Sequence, residues 1–350
     1  MSVTSVSYTG KSVFIGIDVH RSFFVLTCLC EGVVVKRCRI PARAEAVTTF
    51  VGKNFPGSVV RTCYEAGYSG FWLHRALEKA EISNIVVHPA HIAVESGNRV
   101  KTDKRDSMKL AEQLSVGRLR GVRIPTPAQE QRRLLTRTRE QLVKARRRVQ
   151  VQIRMRLHQF GLFPEGIIGA IRLKDVENLL LKIDSGGLKI SLECLYTQWK
   201  NLAAQIKELK GHFTTQAKAD SLDKLYRTVP GIGALTARVL SNELGDMSQF
   251  LNEGALFSFT GLTPCEHSSG DRVCRGHISR QGSSRIRSML IEAAWVAVRK
   301  DKSFGDYFAR LSVRTGKKRA IVAVARKLIG RTRAAIRTGK GYQMEINRAA

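Results

Sequence analysis

Apolar, β-rich runs at the start of the chain predict a three-stranded antiparallel sheet. The runs cover residues 12–18, 23–30 and 33–40, and the first of them ends on an acidic residue. Glu31-Gly32, between the last two runs, is typical of a tight hairpin turn. We therefore expect these three segments to pair as neighbouring strands.

Helical and strand patterns then alternate up to about residue 117. The predicted elements are helices at 44–52, 71–80 and 105–117 and buried strands at 58–65 and 84–88. The resulting order, β-β-β-α-β-α-β-α, is typical of a mixed-sheet α/β domain. Pro125 and Pro127 mark its end, so the first predicted domain spans residues 1–125.

Apolar residues spaced three or four positions apart predict two long helices in the middle of the chain, over residues 128–160 and 192–213. Joined through residues 161–190, they favour an antiparallel hairpin or coiled coil, which we assign to a connector at residues 126–220. The first helix carries ten Lys or Arg and two Glu. A charge of one sign favours contact with a nucleic-acid backbone, and a merely solvated helix face is the competing interpretation.

The last region, residues 221–350, opens with turn residues between helical segments. The stretch PGIG at 230–233, followed by a helical pattern, has the form of a helix-hairpin-helix element. The backbone amides of Gly231 and Gly233 at a helix N-terminus can cradle a phosphate, although an ordinary helical turn explains the same residues. We predict a mainly α C-terminal domain that includes an apolar helix at 286–298.

The charge balance indicates a polyanionic partner. The 350 residues include 59 Lys or Arg and 29 Asp or Glu, which gives a net charge of +30. Residues 272–340 alone hold 19 basic and three acidic side chains. Nucleic acid is the obvious partner for such a surplus. With 43% hydrophobic residues, wholesale disorder is excluded.

No apolar run approaches the ~18 residues of a membrane span, and the N-terminus lacks the layout of a signal peptide. We therefore expect a cytoplasmic protein without a membrane partner. Seven scattered cysteines with no CxxC pair fit neither a disulfide framework nor a zinc site. We expect them to be reduced and mostly buried.

Four acidic residues of the first domain stand out by position. Asp18 and Glu65 close two predicted strands, and Asp103 and Asp106 lie three residues apart at the entrance of a predicted helix. Carboxylates gathered at a sheet edge repel one another unless cations neutralise them, and oxygen ligands favour Mg²⁺, with Mn²⁺ as the alternative. Two such ions support phosphodiester chemistry. Each acid also has an ordinary explanation: Asp106 suits a helix start, and Glu65 suits an arginine partner.

Basic side chains surround the second acid pair. Lys101, Lys104 and Arg105 lie beside Asp103 and Asp106 in the sequence. Their cations can hold a scissile phosphate or can simply balance the local negative charge. The sequence leaves both interpretations open.

A second candidate site lies in the Ser-Ser-Gly loop at 268–270. A serine among arginines near a phosphate can act as a nucleophile because the cations stabilise the developing charge, and His267 beside it can accept the proton. Serines in glycine-rich loops are more often turn formers, which is the competing interpretation. The arginines that flank the loop, all candidates for binding nucleic acid, are Arg272, Arg275, Arg280, Arg285 and Arg287.

Four stretches of the sequence resemble the DEDD-type insertion-sequence transposases, a family of bridge-RNA-guided serine recombinases related to the Piv-type DNA invertases. They are FIGIDVH at 14–20, YEAGYSG at 64–70, GNRVKTDKRDSMKLAEQL at 97–114, and the block from GLTPCEHSSG to RGHISRQGSSRIR at 261–287. The third stretch is the most specific of the four. Their order and separation extend the resemblance over nearly the whole chain.

The resemblance implies a RuvC-like (RNase H-like) first domain, a coiled-coil middle and a C-terminal transposase domain that carries a catalytic serine. The implied metal-binding tetrad is Asp18, Glu65, Asp103 and Asp106. In such enzymes the serine attacks DNA and forms a covalent phosphoserine, while the acids hold magnesium. We assign the nucleophile to Ser268 and keep Ser269 as the alternative; the family's loop often has a second glycine where this chain has Asp271.

The expected function is site-specific DNA transposition or recombination, with double-stranded donor and target DNA and a guide (bridge) RNA as partners at the bacterial nucleoid. Acids and serine belong to different domains, so a single site requires the domains to fold over one another or subunits to pair. The family resemblance implies a dimer or tetramer. Two alternatives stay open: a RuvC-like nuclease that hydrolyses branched DNA with metal-activated water, and a non-catalytic nucleic-acid-binding protein.

Overall fold

The computed structural model describes residues 7–93, 102–164, 169–266, 268–270, 272 and 274–344. The chain divides into two compact units, Met1–Ile124 and Pro125–Ala350. Each unit has its own hydrophobic core. The further boundary predicted after residue 220, between a connector and a C-terminal domain, stays a prediction.

The first unit is built on a five-stranded mixed sheet in the order β3-β2-β1-β4-β5. The strands are β1 Ser12–Val19, β2 Phe23–Cys30, β3 Val33–Pro41, β4 Val59–Glu65 and β5 Ser83–Val87. The first three pair antiparallel, whereas β4 and β5 continue the sheet parallel to β1. Glu31 and Gly32 have φ angles of 52° and 78°, as a two-residue hairpin turn requires. The predicted mixed-sheet α/β architecture is confirmed.

Helices cover both faces of this sheet. They are α1 Ala44–Asn54, α2 Trp72–Lys79 and α3 Asp103–Ser115, with a short 3-10 helix at Pro89–His91. Side chains such as Ile15 and Ile17 pack with α1 and α2 on one face, while α3 packs on the other. Successive strand residues point to opposite faces, so one strand contributes to both interfaces.

The contact between β1 and α3 requires a glycine. A Cβ atom built on Gly16 would lie 2.1 Å from the Ser107 carbonyl oxygen and 2.6 Å from the Ala111 nitrogen, both in the backbone of α3. A buried hydrogen bond of 2.8 Å between the hydroxyls of Thr27 and Ser107 joins β2 to the same helix. The backbone of α3 therefore lies directly against the sheet.

The second unit begins with the two long helices expected from the sequence. These are α4 Pro127–Gln159 and α6 Gly187–Ala219, and they pack against each other. Their shared core includes Ile153 and Leu157 near the end of α4 and Leu192 near the start of α6, which makes the hairpin antiparallel. A short helix, α5 Leu173–Leu180, lies in the connection and was not predicted.

The rest of the second unit is mainly helical, as expected. It comprises α7 Ser221–Arg227, α8 Ala234–Leu244, α9 Glu253–Thr260, α10 Ser284–Lys300, α11 Lys302–Thr315 and α12 Lys317–Thr338, with a hairpin of β6 Pro264–Glu266 and β7 Arg275–Ile278. Buried alanines on α10 and α12 let these two helices approach closely. Among the described residues, no helix combines the length and apolar character needed to cross a membrane.

The expectation that the cysteines are mostly buried is wrong. All seven are free, but only Cys28, Cys30 and Cys63 are buried. Cys194 and Cys274 are exposed because they lie on the outside of α6 and in the loop before β7. The three buried thiols all belong to β2 and β4 of the first unit's sheet.

Replacement of Gly16 by alanine is expected to destabilise the first unit. The added methyl group has no room against the α3 backbone, and overpacking of this kind costs about 1–3 kcal/mol. Gly52→Ala is the matched control: no atom lies within 4 Å of its Cβ position in α1, so better helix propensity should add about 0.5–1 kcal/mol. Chemical denaturation measures both. Equal stability of the two variants would contradict the close packing described here.

Candidate active site

Parallel pairing brings two of the four acids to one edge of the sheet. Ile17 on β1 lies opposite Tyr64 on β4, so the next residues of the two strands, Asp18 and Glu65, are neighbours. Within the part of the chain that the structure describes, Glu65 has no ion-pair partner, so the arginine pairing considered from the sequence is not observed. The edge therefore presents two carboxylates side by side.

The first turn of α3 supplies the other two acids. Asp103 and Asp106 both lie there, behind the capping residue Thr102, whose hydroxyl accepts a hydrogen bond from the Arg105 amide. Asp18, Glu65 and Asp106 line one cleft with a volume of about 980 Å³. Carboxylates in a first turn also interact favourably with the helix dipole, and this ordinary explanation still applies to the α3 pair.

A histidine, which the sequence reasoning missed, connects Asp103 to Asp18. The Nε2 atom of His20 lies 3.0 Å from Asp18 Oδ2 and 3.3 Å from Asp103 Oδ2. The ring of His20 stacks on Phe23, with 4.6 Å between the ring centroids, which fixes its orientation. A signal was available, because His20 stands two positions after Asp18 along the strand direction, and residues i and i+2 share a face.

The half-buried carboxyl of Asp18 has a raised pKa. Burial is the largest cause, since it disfavours the charged form, and the nearby Asp103 and Asp106 raise the pKa further. His20 opposes the rise through its charge and its hydrogen bond. A cation bound beside Asp18 would favour its charged form and so oppose the effect of burial.

The donor atoms fit a divalent cation. One atom each from Asp18, His20 and Asp103 lie within 4.8 Å of one another, which is compatible with a common ion. Carboxylate oxygens suit magnesium and manganese, and an imidazole nitrogen adds a ligand type more typical of transition metals. Asp18, His20 and Asp103 are therefore compatible with either Mg²⁺ or Mn²⁺, the two ions expected from the sequence.

Basic side chains line the same cleft. Lys104 and Arg105, both expected to hold phosphate, are among them, whereas Lys101 lies outside the described residues. Arg37, Lys109 and Arg118 also line the cleft and were not predicted. Cations beside a group of carboxylates suit a substrate that carries phosphates and is positioned next to a metal ion.

The Ser-Ser-Gly loop connects β6 to β7 in the second unit. Ser268 is exposed, and its hydroxyl donates a 2.8 Å hydrogen bond to Glu266 Oε1 and accepts one of 3.2 Å from the Cys274 amide. Ser269 pairs instead through its backbone with Arg272, across a turn that contains Gly270 with φ of 56°. His267 and Asp271 lie outside the described residues.

The arginines around this loop differ in their surroundings. Arg272 and Arg280 are exposed, and Arg280 has a positive φ of 56°. Arg287 donates a hydrogen bond of 3.3 Å to the Thr260 carbonyl. For Arg275 only the backbone, in β7, is described. The predicted contacts of these four residues with nucleic acid stay predictions.

Arg285 is engaged within the protein. Its guanidinium contacts Glu140 on α4 and lies 3.1 Å from Glu243 Oε1 on α8. Arg137 pairs with both oxygens of Glu243, each at 2.9 Å. Glu243 is only 6% exposed, so it is an internal anchor that joins α4, α8 and α10. A phosphate would have to compete with two carboxylates for Arg285, and its predicted role in binding nucleic acid stays a prediction.

The glycines of the PGIG turn lie between α7 and α8, as the helix-hairpin-helix interpretation requires. Gly231 has φ of 82°, and a Cβ atom there would lie 2.1 Å from the Ala293 carbonyl oxygen of α10. Close packing against α10 therefore explains why position 231 is a glycine. Packing does not explain the glycine at position 233, because no atom lies within 4 Å of its Cβ position. Phosphate binding by these two residues stays a prediction.

Comparison with known proteins finds related transposases. Residues 15–162 match a DEDD transposase family of the IS110 type, and residues 223–309 match the family described as Transposase IS116/IS110/IS902. The transposase for insertion sequence element IS1111A from Coxiella burnetii is 30% identical over 323 residues, which cover 89% of this chain and 86% of the relative. The putative transposase y4rJ from Sinorhizobium fredii is 27% identical over 93% of this chain and 92% of its own length.

These matches define the class as a transposase, an enzyme that acts on DNA in recombination. They span both units of the structure. The chain belongs to the IS116/IS110/IS902 family of transposases.

Loss of either carboxylate next to His20 is expected to weaken cation binding. Asp18→Asn or Asp103→Asn removes an anionic ligand, and even changes outside the ligand shell weaken metal sites about 10–100-fold, so a loss of at least about tenfold in Mn²⁺ affinity should follow. Titration calorimetry of the DNA-free protein with Mn²⁺ measures it. Asp306→Asn, on the exposed side of α11, should bind as wild type does. Unchanged affinity in both site variants would argue against a cation at this cluster.

Proposed function

We propose that this chain is a site-specific DNA transposase that cleaves and rejoins DNA by Mg²⁺-dependent transesterification, with Ser268 as the nucleophile and a bridge RNA as its guide. The observation that carries the proposal is the convergence of Asp18, Glu65, Asp103 and Asp106 at one edge of the sheet, beside a cleft lined with cations. Ser269 is the alternative nucleophile.

The first unit is, in this proposal, a RuvC-like (RNase H-like) domain. Three antiparallel strands followed by two strands parallel to the first support that assignment, as does the position of two acids at the ends of the adjacent strands β1 and β4. All four acids would serve as metal ligands, with His20 orienting two of them. Unlike zinc ligands, these donors are mainly oxygen atoms.

Each group in the cleft has a role in phosphodiester chemistry. Magnesium, when bound, would withdraw electron density from the phosphate and stabilise charge on the attacking and leaving oxygens. Lys104 and Arg105 would hold the non-bridging oxygens of the phosphate, and Arg37 would extend the contact along the backbone. Because the backbone of α3 packs directly against Gly16 of β1, Asp106 in the first turn of α3 lies close to the edge of the sheet.

The serine distinguishes transesterification from hydrolysis. Attack by the Ser268 hydroxyl would conserve the energy of the phosphodiester in a phosphoserine bond, so that a new strand can be joined without a further energy source. The exposure of Ser268 and its position between a carboxylate and an amide support the role of nucleophile. Acids and serine belong to different units, and we propose that a dimer or tetramer completes the site.

The charge of the chain is compatible with an RNA partner in addition to DNA. A net charge of +30 exceeds what contact with one short DNA segment needs, because each phosphate requires only one or two cations. Exposed basic residues on α4, among them Arg147 and Arg148, would supply backbone contacts to double-stranded DNA or to the RNA. A metal-dependent RuvC-like nuclease is the second candidate, since the acidic cluster in the first unit is formed without the serine.

Replacement of the nucleophile is expected to abolish covalent attachment to DNA. Wild type, Ser268→Ala and Ser269→Ala are incubated with donor and target DNA, co-purified RNA and Mg²⁺, and a denaturing gel reveals protein bound to DNA. We expect the adduct with wild type and Ser269→Ala but not with Ser268→Ala.

Three other outcomes decide between the alternatives. An adduct lost only in Ser269→Ala would move the nucleophile by one residue. Magnesium-dependent cleavage without any adduct would favour the nuclease. If wild type neither cleaves DNA nor forms an adduct, and Asp18→Asn and Asp106→Asn bind nucleic acid as wild type does, only the binding protein is left.

A further inference from the structure

We propose that Glu266 is the catalytic base that takes the proton from Ser268. This inference rests on the proposed function, because it concerns the step in which Ser268 attacks DNA. Glu266 Oε1 accepts the Ser268 hydroxyl hydrogen at 2.8 Å, a separation at which proton transfer needs no rearrangement. The sequence had suggested His267, the residue between them, for this task.

The β6–β7 hairpin, not the loop, positions the base. Glu266 is the last residue of β6 and lies opposite Arg275 on β7, so the strand ladder fixes its backbone. The Cys274 amide, immediately before β7, donates to Ser268 Oγ at 3.2 Å. Glu266 thus lies at the end of one paired strand and Cys274 immediately before the other, next to the fixed backbone that a reacting group requires.

The two hydrogen bonds have different chemical consequences. The carboxylate receives the hydroxyl hydrogen and leaves a lone pair of Oγ available for attack, while the amide stabilises negative charge as it develops on that oxygen. A turn-forming serine would instead direct its hydroxyl to a backbone group nearby, as Thr228 does with the Leu225 carbonyl. Ser268 directs its hydrogen to a side-chain carboxylate.

The proposed step balances as follows. The Oγ–H bond of Ser268 breaks and its proton moves to Glu266, while a bond forms between Oγ and phosphorus. The ester bond between phosphorus and one deoxyribose oxygen breaks, and that oxygen takes a proton from water. In rejoining, a deoxyribose hydroxyl attacks the phosphoserine and loses its proton to water, and the protonated Glu266 returns its proton to the departing Ser268 oxygen.

The test compares Glu266→Gln with wild type in the full chain, using single-turnover formation of the protein–DNA adduct. Glutamine keeps an oxygen that can accept the hydrogen bond but cannot take the proton, so adduct formation should slow by about 10²–10⁴-fold with DNA affinity unchanged. Glu292→Gln, a matched change on the exposed side of α10, should react as wild type does. Melting temperatures show whether each variant is folded.

A second variant separates proton transfer from loop geometry. Glu266→Ala should be nearly inactive in adduct formation, and added formate, a small carboxylate base, should restore part of the rate only if a base is what is missing. Full activity of Glu266→Gln, or an inactive Glu266→Ala that formate does not rescue, would overturn the role of Glu266. An adduct that persists in Ser268→Ala would instead overturn the proposed nucleophile, and these results are independent of each other.

Discussion

The close approach of α3 to β1 is the constraint on which the acidic site depends. At Gly16 the helix backbone occupies space that any side chain would fill, and Asp18 follows two residues later on the same strand. The first turn of α3 holds Asp103 and Asp106. A helix held farther from the sheet would place the carboxylates of Asp103 and Asp106 farther from that of Asp18.

His20 lies between two carboxylates that would otherwise repel each other in the folded protein. Burial is the main reason that the pKa of Asp18 is raised, and repulsion from Asp103 and Asp106 raises it further. The Nε2 atom of His20 contacts an oxygen of Asp18 and one of Asp103, so it occupies the position of a bridging cation. His20 therefore holds Asp18 and Asp103 together, and its imidazole, stacked on Phe23, is placed where it could itself act as a ligand.

The sequence predicts the strands because each is a continuous apolar run. It also predicts that Asp18 and Glu65 lie at the sheet edge, because each of them closes such a run. It predicts the helices α4 and α6 because their apolar spacing is long and regular. Strands β6 and β7 were missed since three or four residues carry no clear period. Two contacts could not be predicted because they join residues far apart in the sequence: Gly231 packs against Ala293, 62 residues later, and Arg285 pairs with Glu243, 42 residues earlier.

The ion pairs around Glu243 show that the positive charge of the protein has two distinct effects, long-range attraction of a polyanion and direct contact with its phosphates. Pairing Arg137 and Arg285 with the buried Glu243 leaves the net charge of +30 unchanged, so the long-range attraction for a polyanion is preserved. A phosphate would have to compete with the Glu243 carboxylate for the same guanidiniums, and direct phosphate contacts determine how steeply binding falls with salt. Net charge therefore governs the long-range attraction for a polyanion, whereas local ion pairs govern how readily an individual cation can contact a phosphate.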